Sequence, residues 1–281
     1  ITNLSKSEKN LLIVEFKKAS EKLSLTQLTN LNSIISKSPI ELFKSLVKFS
    51  STQSQNFIQA LSNMDLAKAN NLLSTGSSLK FHKFSTLLSS LSDITPSKLP
   101  PILNSLSNLP TQQLETHVSM LSSLPKDNQK SIFTTLSLLN NNQIDIFIQN
   151  ISKLPKTHST VIHETLSKGN INTSFTFLNA LTRCSKDSIQ TFLKAFKSLP
   201  INQLSTLTKN ISSLPKNSLN GLFKGLSLAT FEQVKTVALT LSTLDKNTQD
   251  LFIKSFSNLN QDKSQLLTKI LTTLPEESIR L

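Results

Sequence analysis

Residues 212–230 read SSLPKNSLNGLFKGLSLAT, and the pair Leu214–Pro215 stands near the start of this stretch. The same Leu-Pro pair recurs along the chain, with its proline at positions 100, 110, 125, 155, 200, 215 and 275. Apart from Pro100, these prolines are separated by multiples of fifteen residues. A fixed spacing that persists over much of a 281-residue chain is typical of a repeat architecture.

We call each position of this fifteen-residue spacing a slot. The slots that lack proline carry other residues that are common at helix starts. Short polar side chains occupy many of them, at Ser50, Asp65, Thr95, Asn140, Asn170, Ser185, Thr230, Asp245 and Asn260, and Lys80 fills one more. Such side chains accept a hydrogen bond from a free amide of the first helical turn. Thr230 is followed at the third position by Gln233, which gives a capping box. The spacing therefore predicts one short helix and one turn in every fifteen residues.

Apolar residues recur within each unit at a helical period. If the slot residue is position 1, then positions 5, 8, 9 and 12 are mostly apolar, as in Leu219, Leu222, Phe223 and Leu226. This is the i, i+3, i+4, i+7 stripe of an amphipathic helix, and the alternation of a strand is absent. A three-turn helix is marginal alone, so each stripe must pack against neighbouring units. The pattern predicts an all-α fold.

Alternate units differ at two positions. Lysine follows the slot residue in every second unit, at Lys126, Lys156, Lys186, Lys216 and Lys246. The intervening units carry glutamine at position 4, at Gln113, Gln143, Gln203 and Gln233. The alternation predicts a thirty-residue repeat of two antiparallel helices, stacked into a right-handed α-solenoid.

The period is kept poorly in the first fifty residues. We therefore expect residues 1–50 to form irregular N-terminal capping repeats and residues 51–281 to form the regular helical array. The cap and the array are expected to be continuous, as one elongated domain.

The chain resembles, in general architecture, the helical-hairpin solenoids of the TAL-effector-like, mitochondrial-terminator-like and HEAT-like families. The Leu-Pro boundary and the rigid repeat length are similar to those of the members that read nucleic acid. The thirty-residue period is shorter than the TAL-type unit, and no family signature is matched. The resemblance implies a superhelical binding scaffold and transfers no functional residue to this chain.

The charge balance favours a polyanionic partner. The chain has 30 Lys and Arg residues against 17 Asp and Glu residues, a formal charge of +13. We expect the recurrent lysines to form a ladder that contacts phosphates, with the recurrent glutamines nearby as contacts to bases or backbone. The favoured function is nucleic-acid binding, DNA or RNA. The alternative is a protein-binding scaffold, as an effector or adaptor that grips a partner in its concave groove.

The motifs of catalysis and cofactor binding are missing from the sequence. There is one cysteine, Cys184, and neither a phosphate-binding loop nor a dinucleotide fingerprint occurs. His117 and His163 fall at positions that are normally apolar, which indicates structural roles. We expect no enzyme activity, no cofactor, no metal and no membrane span, and a monomer. The single cysteine excludes an internal disulfide framework. The compartment stays open, with a reducing intracellular one favoured, which includes the interior of a host cell entered by a secreted effector.

Overall fold

The computed structural model describes residues 4–78, 81–95, 97–212 and 214–273, and the regular secondary structure of these residues is entirely helical. The all-α fold expected from the apolar stripe is confirmed. The predicted slots at Lys80 and Pro275 lie outside the described residues. The contacts divide the chain into two compact units, Ile1–Ser152 and Lys153–Leu281.

The first unit contains ten helices in its described residues. They are α1 (Lys6–Ser20), α2 (Leu25–Ser36), α3 (Ile40–Leu46), α4 (Ser51–Ser62), α5 (Leu66–Ser77), α6 (Phe81–Ser92), α7 (Leu99–Ser107), α8 (Thr111–Ser123), α9 (Lys126–Ser137) and α10 (Asn141–Ile151).

The described residues of the second unit form eight helices. They are α11 (Lys156–Lys168), α12 (Ile171–Thr182), α13 (Lys186–Ser198), α14 (Ile201–Ser212), α15 (Lys216–Gly225), α16 (Phe231–Thr243), α17 (Lys246–Ser257) and α18 (Gln261–Thr273).

The helix starts follow the slots of the sequence. From α8 to α18 each helix begins fifteen residues after the one before it, and α4, α5 and α6 keep the same interval. Helix α7 begins later, at Leu99, and holds Pro100 and Pro101 in its first turn. Proline is tolerated there because the amide it lacks has no partner inside the helix. The starts of α1, α2 and α3 are spaced less evenly. The predicted boundary at residue 50 stays a prediction.

The slot residues cap the helices in two ways. Ser50, Asn140 and Thr230 each form a capping box, in which the side chain accepts from the third helical amide and a glutamine side chain accepts from the cap amide. Pro125 and Pro215 have no side chain that could accept, but each holds an extended backbone at the N-cap. Their carbonyl oxygens accept the first hydrogen bond of the helix, at 3.0 Å in both cases. The Leu-Pro pair therefore marks the junction between two helices.

The core is built from the apolar stripe. In α9, Ile132, Phe133 and Leu136 are each at most 3% exposed, and most of the corresponding residues of the other helices are buried as well. Burying one such side chain contributes about 1.5–3 kcal/mol. Because helices of ten to thirteen residues are marginal in isolation, this packing is the main source of their stability.

Within each unit, a helix packs most closely on the helices two and three positions further along the chain. In the first unit α1 packs on α4, α3 on α6 and α7 on α10, and in the second unit α11 packs on α14, α13 on α16 and α15 on α17. The consecutive helices α11 and α12 also touch. Packing of each helix on those two and three positions along is consistent with a helical repeat. The thirty-residue hairpin and the right-handed coil stay predictions.

Candidate nucleic-acid interface

The five recurrent lysines occupy equivalent places on alternate helices. Each is the first residue of its helix, and each is exposed to solvent. The residues are Lys126 of α9, Lys156 of α11, Lys186 of α13, Lys216 of α15 and Lys246 of α17. The structure therefore places the five lysines in the first turn of alternate helices, as the spacing predicts.

The start of each of these helices is fixed by the residue before the lysine. Pro125, Pro155 and Pro215 are N-caps with extended backbone, while Ser185 and Asp245 accept hydrogen bonds from first-turn amides. A cation in the first turn opposes the helix dipole by a few tenths of a kcal/mol. Helix stability therefore gives no reason for a lysine at all five places.

Four of the five lysines have no ion-pair partner among the described residues. The ion pairs seen among the described residues join Lys18 to Glu15, Lys130 to Asp93 and Lys168 to Glu164. Within the same ranges, Lys126, Lys186, Lys216 and Lys246 form no ion pair. Their charges therefore face solvent at neutral pH.

The lateral spacing of the lysines follows from the helix packing. Four of them lie in the second unit and Lys126 lies in the first. Within the second unit α15 and α17 pack side by side, so Lys216 and Lys246 begin neighbouring helices. Helices α11 and α13 instead pack most closely on α14 and α16. A ladder with one helix-packing distance between all successive lysines stays a prediction.

Two of the four recurrent glutamines belong to capping boxes. The Gln143 side chain accepts from the Asn140 amide at 3.2 Å, and the Gln233 side chain accepts from the Thr230 amide at 2.8 Å. In both helices the backbone N–H of the glutamine donates to the side chain of the cap residue. The acceptor oxygens of these side chains are therefore engaged in helix starts.

The other two glutamines have different surroundings. The oxygen of Gln113 accepts from the Ser152 hydroxyl at 3.1 Å, which joins the start of α8 to the end of α10. The oxygen of Gln203 is buried and has no hydrogen-bond partner within the described residues. A role for the four glutamines in contacting bases or backbone stays a prediction.

The tie made by Gln113 recurs with other residues at helix starts. Lys98 donates to the Leu139 carbonyl at 2.8 Å, and the Ser188 hydroxyl donates to the Ser227 carbonyl at 2.7 Å. Each bond joins the start of one helix to the end of the helix two positions along. The sequence carries no signal for these ties, because the acceptors are backbone carbonyls and any donor of suitable length serves.

A second set of exposed lysines lies on helices of the second unit. They stand at position 10 of the repeat, at Lys194, Lys209, Lys224, Lys254 and Lys269. Residues 153–281 carry 16 basic against 8 acidic residues, whereas residues 1–152 carry 14 against 9. The excess of positive charge is therefore greater in the second unit.

The two core histidines and the cysteine have structural surroundings. His117 and His163 are 4% and 1% exposed. Burial lowers the pKa of His163 to about 4, against the opposing effect of its bond to the Ser159 carbonyl. Burial raises the pKa of the Cys184 thiol to about 11, so the reactive thiolate is scarce at neutral pH. Both histidines therefore fit the structural roles that their positions indicate.

Comparison of the chain with protein-family models, with curated proteins and with solved structures finds no match. Within the residues that the structure describes, every helix is too short or too polar to cross a bilayer. No group of three metal-binding side chains comes together in those residues.

Proposed function

We propose that the chain is a non-enzymatic superhelical scaffold that binds nucleic acid through the lysines at the starts of α9, α11, α13, α15 and α17. The observation that carries the proposal is that all five are exposed first residues of alternate helices. The surrounding charge favours the same function, because the chain has a formal charge of +13. The right-handed coil of thirty-residue helix pairs belongs to this proposal as the arrangement that would place the lysines along one edge.

Contacts between lysines and phosphates predict a strong dependence on salt. Each neutralised phosphate of a single strand contributes about 0.7 to the slope of log affinity against log salt. Replacing Lys126, Lys156, Lys186, Lys216 and Lys246 by Gln should therefore reduce that slope by as much as about 3.5. The measurement is fluorescence anisotropy of labelled RNA and DNA oligonucleotides between 50 and 300 mM salt, about the range in which such contacts weaken.

A matched variant separates these positions from net charge. Replacing five other exposed lysines by Gln, namely Lys17, Lys37, Lys153, Lys197 and Lys263, removes the same charge from places that are not the first residue of a helix. We expect it to reduce the slope by less than half as much. Equal effects of the two variants would assign binding to net charge alone, and no binding at about 50 mM salt would exclude the function.

A protein-binding scaffold is the second candidate. The observation that favours it is on α1, where Ile13 and Val14 are 64% and 46% exposed on the side away from the buried residues of that helix. Apolar side chains grouped at a surface favour contact with another protein. A pull-down that survives nuclease treatment and is lost in Ile13→Glu would support this candidate over the first.

A further inference from the structure

A cleft of about 520 Å³ lies in the second unit between α11, α14 and the start of α12. This volume is within the range of small-ligand pockets. Residues one helical turn apart form two of its walls, Val161, Thr165 and Lys168 on α11 and Lys209 and Ser212 on α14. The recurrent lysines of the proposed interface do not line it.

Two cations stand on opposite walls of the cleft. Lys168 is largely exposed, and its Nζ lies 3.4 Å from the Glu164 carboxylate, which also lines the cleft. Lys209 is exposed and has no ion-pair partner among the described residues. The two lysines outnumber the single carboxylate, so the cleft retains a net positive charge that suits an anionic group such as a phosphate.

Three hydroxyl groups that line the cleft already donate their hydrogens to backbone carbonyls. Thr165 donates to the Val161 carbonyl at 2.8 Å, Thr173 to the Asn170 carbonyl at 2.8 Å, and Ser212 to the Lys209 carbonyl at 3.0 Å. A hydroxyl has one hydrogen and two lone pairs, so these groups can only accept from a ligand. The cleft therefore suits a molecule that has a negative charge and its own hydroxyl donors.

We propose that this cleft holds one phosphoribose unit of an RNA strand, an inference that rests on the proposed nucleic-acid binding. The phosphate lies between Lys168 and Lys209, and the 2′-hydroxyl donates to the oxygens that Thr165 and its neighbours present. DNA lacks the 2′-hydroxyl, so these acceptors select RNA. The same chemistry occurs in a free ribonucleotide, and the experiment includes one.

The test compares 12-residue oligoadenylate RNA with its DNA counterpart by fluorescence anisotropy at about 50 mM salt, a condition that favours electrostatic binding. We expect tighter binding of RNA. Thr165→Val keeps the side-chain shape and removes the acceptor, so it should weaken RNA binding about fivefold and leave DNA binding unchanged. Thr206→Val is the control, because the Thr206 hydroxyl makes the same kind of bond to its own helix but lies outside the cleft.

A second variant tests the phosphate contact. Lys168→Gln combined with Lys209→Gln should lower the salt slope for RNA by about 0.7, the value for one phosphate contact on a single strand. The control pair is Lys153→Gln with Lys263→Gln, which removes equal charge outside the cleft. An unchanged slope in the first pair would overturn the contact.

The outcomes separate the inference from the function beneath it. Equal binding of RNA and DNA, with Thr165→Val unchanged, overturns the inference and leaves nucleic-acid binding intact. Failure of both oligonucleotides to bind overturns the proposed function and the RNA strand as occupant. Calorimetry with AMP then decides the cleft chemistry: binding weakened by Thr165→Val supports a phosphoribose site for a free nucleotide, and no binding overturns the site.

Discussion

At the residue scale, buried polar side chains in the apolar stripe join helices to one another. The Ser174 hydroxyl donates to the Leu166 carbonyl at 2.7 Å, and the Gln249 amide donates to the Leu241 carbonyl at 2.7 Å. Both residues are fully buried. Each bond supplies a partner for a carbonyl at the end of the preceding helix, which would otherwise lack one. Polar residues at position 5 of the repeat therefore have a structural explanation.

Buried His163 gives a pH-dependent stability. The pKa of His163 is about 4 in the folded chain and 6.5 when the side chain is not buried. The unfolded state therefore takes up a proton first as the pH falls. Stability from this group is fully present above about pH 6.5 and is lost between there and about pH 4. The difference corresponds to about 3 kcal/mol. Urea unfolding at a series of pH values measures it.

The controls for this prediction are His163→Leu and His82→Gln. Leucine fills the same repeat position at Leu178, so the first variant is expected to fold and to lose the part of the pH dependence that belongs to His163. His82 is exposed, and its replacement should leave the profile unchanged. The same slope in the wild type and in His163→Leu would contradict the prediction.

The sequence predicts some of these residue roles and not others. The position of the five lysines at helix starts follows from the fifteen-residue spacing, because the residue after an N-cap is the first of a helix whatever lies around it. The capping role of Gln233 follows from local spacing in the same way. The ties of Gln113 and Ser188 join residues 39 apart, and they depend on which helix ends meet. The sequence period alone does not determine that.

At the element scale, the spacing predicts where helices start but not which helices pack together. From α8 to α18 every start falls one residue after a slot, because caps and prolines act locally. Packing on helices two and three positions along depends on the path of the chain through each turn. The lining of the cleft, with α11 facing α14, depends on the same packing and was not predicted from the sequence.

The contact between α15 and α17 depends on a glycine. A Cβ atom on Gly221 would lie 2.7 Å from Ser257 Cα and 2.8 Å from its carbonyl oxygen, and backbone atoms cannot move aside cheaply. Alanine favours a helix over glycine by up to about 1 kcal/mol. We expect overpacking to outweigh this gain, so that Gly221→Ala lowers the free energy of unfolding by about 1–2 kcal/mol. Urea denaturation measures the change.

Gly169→Ala is the matched control. A Cβ atom there would come no closer than 3.1 Å, to the Ser174 hydroxyl, and its next neighbours are beyond 3.4 Å. Its effect on stability should stay within about 0.5 kcal/mol. A stabilising Gly221→Ala would mean that α15 and α17 do not approach so closely.

At the scale of the whole molecule, the repeat is either one helix of fifteen residues or a pair of helices of thirty residues. The alternation of lysine and glutamine units favours the pair. Helices two positions apart belong to the same class of unit, and helices three positions apart belong to opposite classes. Removing thirty residues preserves both relations across the junction. Removing fifteen residues reverses both relations across the junction. Helices of different classes must then pack where helices of the same class packed before.

Two internal deletions therefore test the thirty-residue unit. Deleting residues 186–215 joins Ser185 to Lys216, and deleting 186–200 joins it to Ile201, so that the same serine cap precedes a helix in both variants. If the repeat is a pair of helices, the thirty-residue deletion should retain a cooperative thermal transition by circular dichroism. The fifteen-residue deletion, although smaller, should melt at a lower temperature and over a broader range, because its interfaces are mismatched. Equally cooperative melting of both variants would make the single helix the unit, and the alternating lysines would then mark a surface rather than a structural pair.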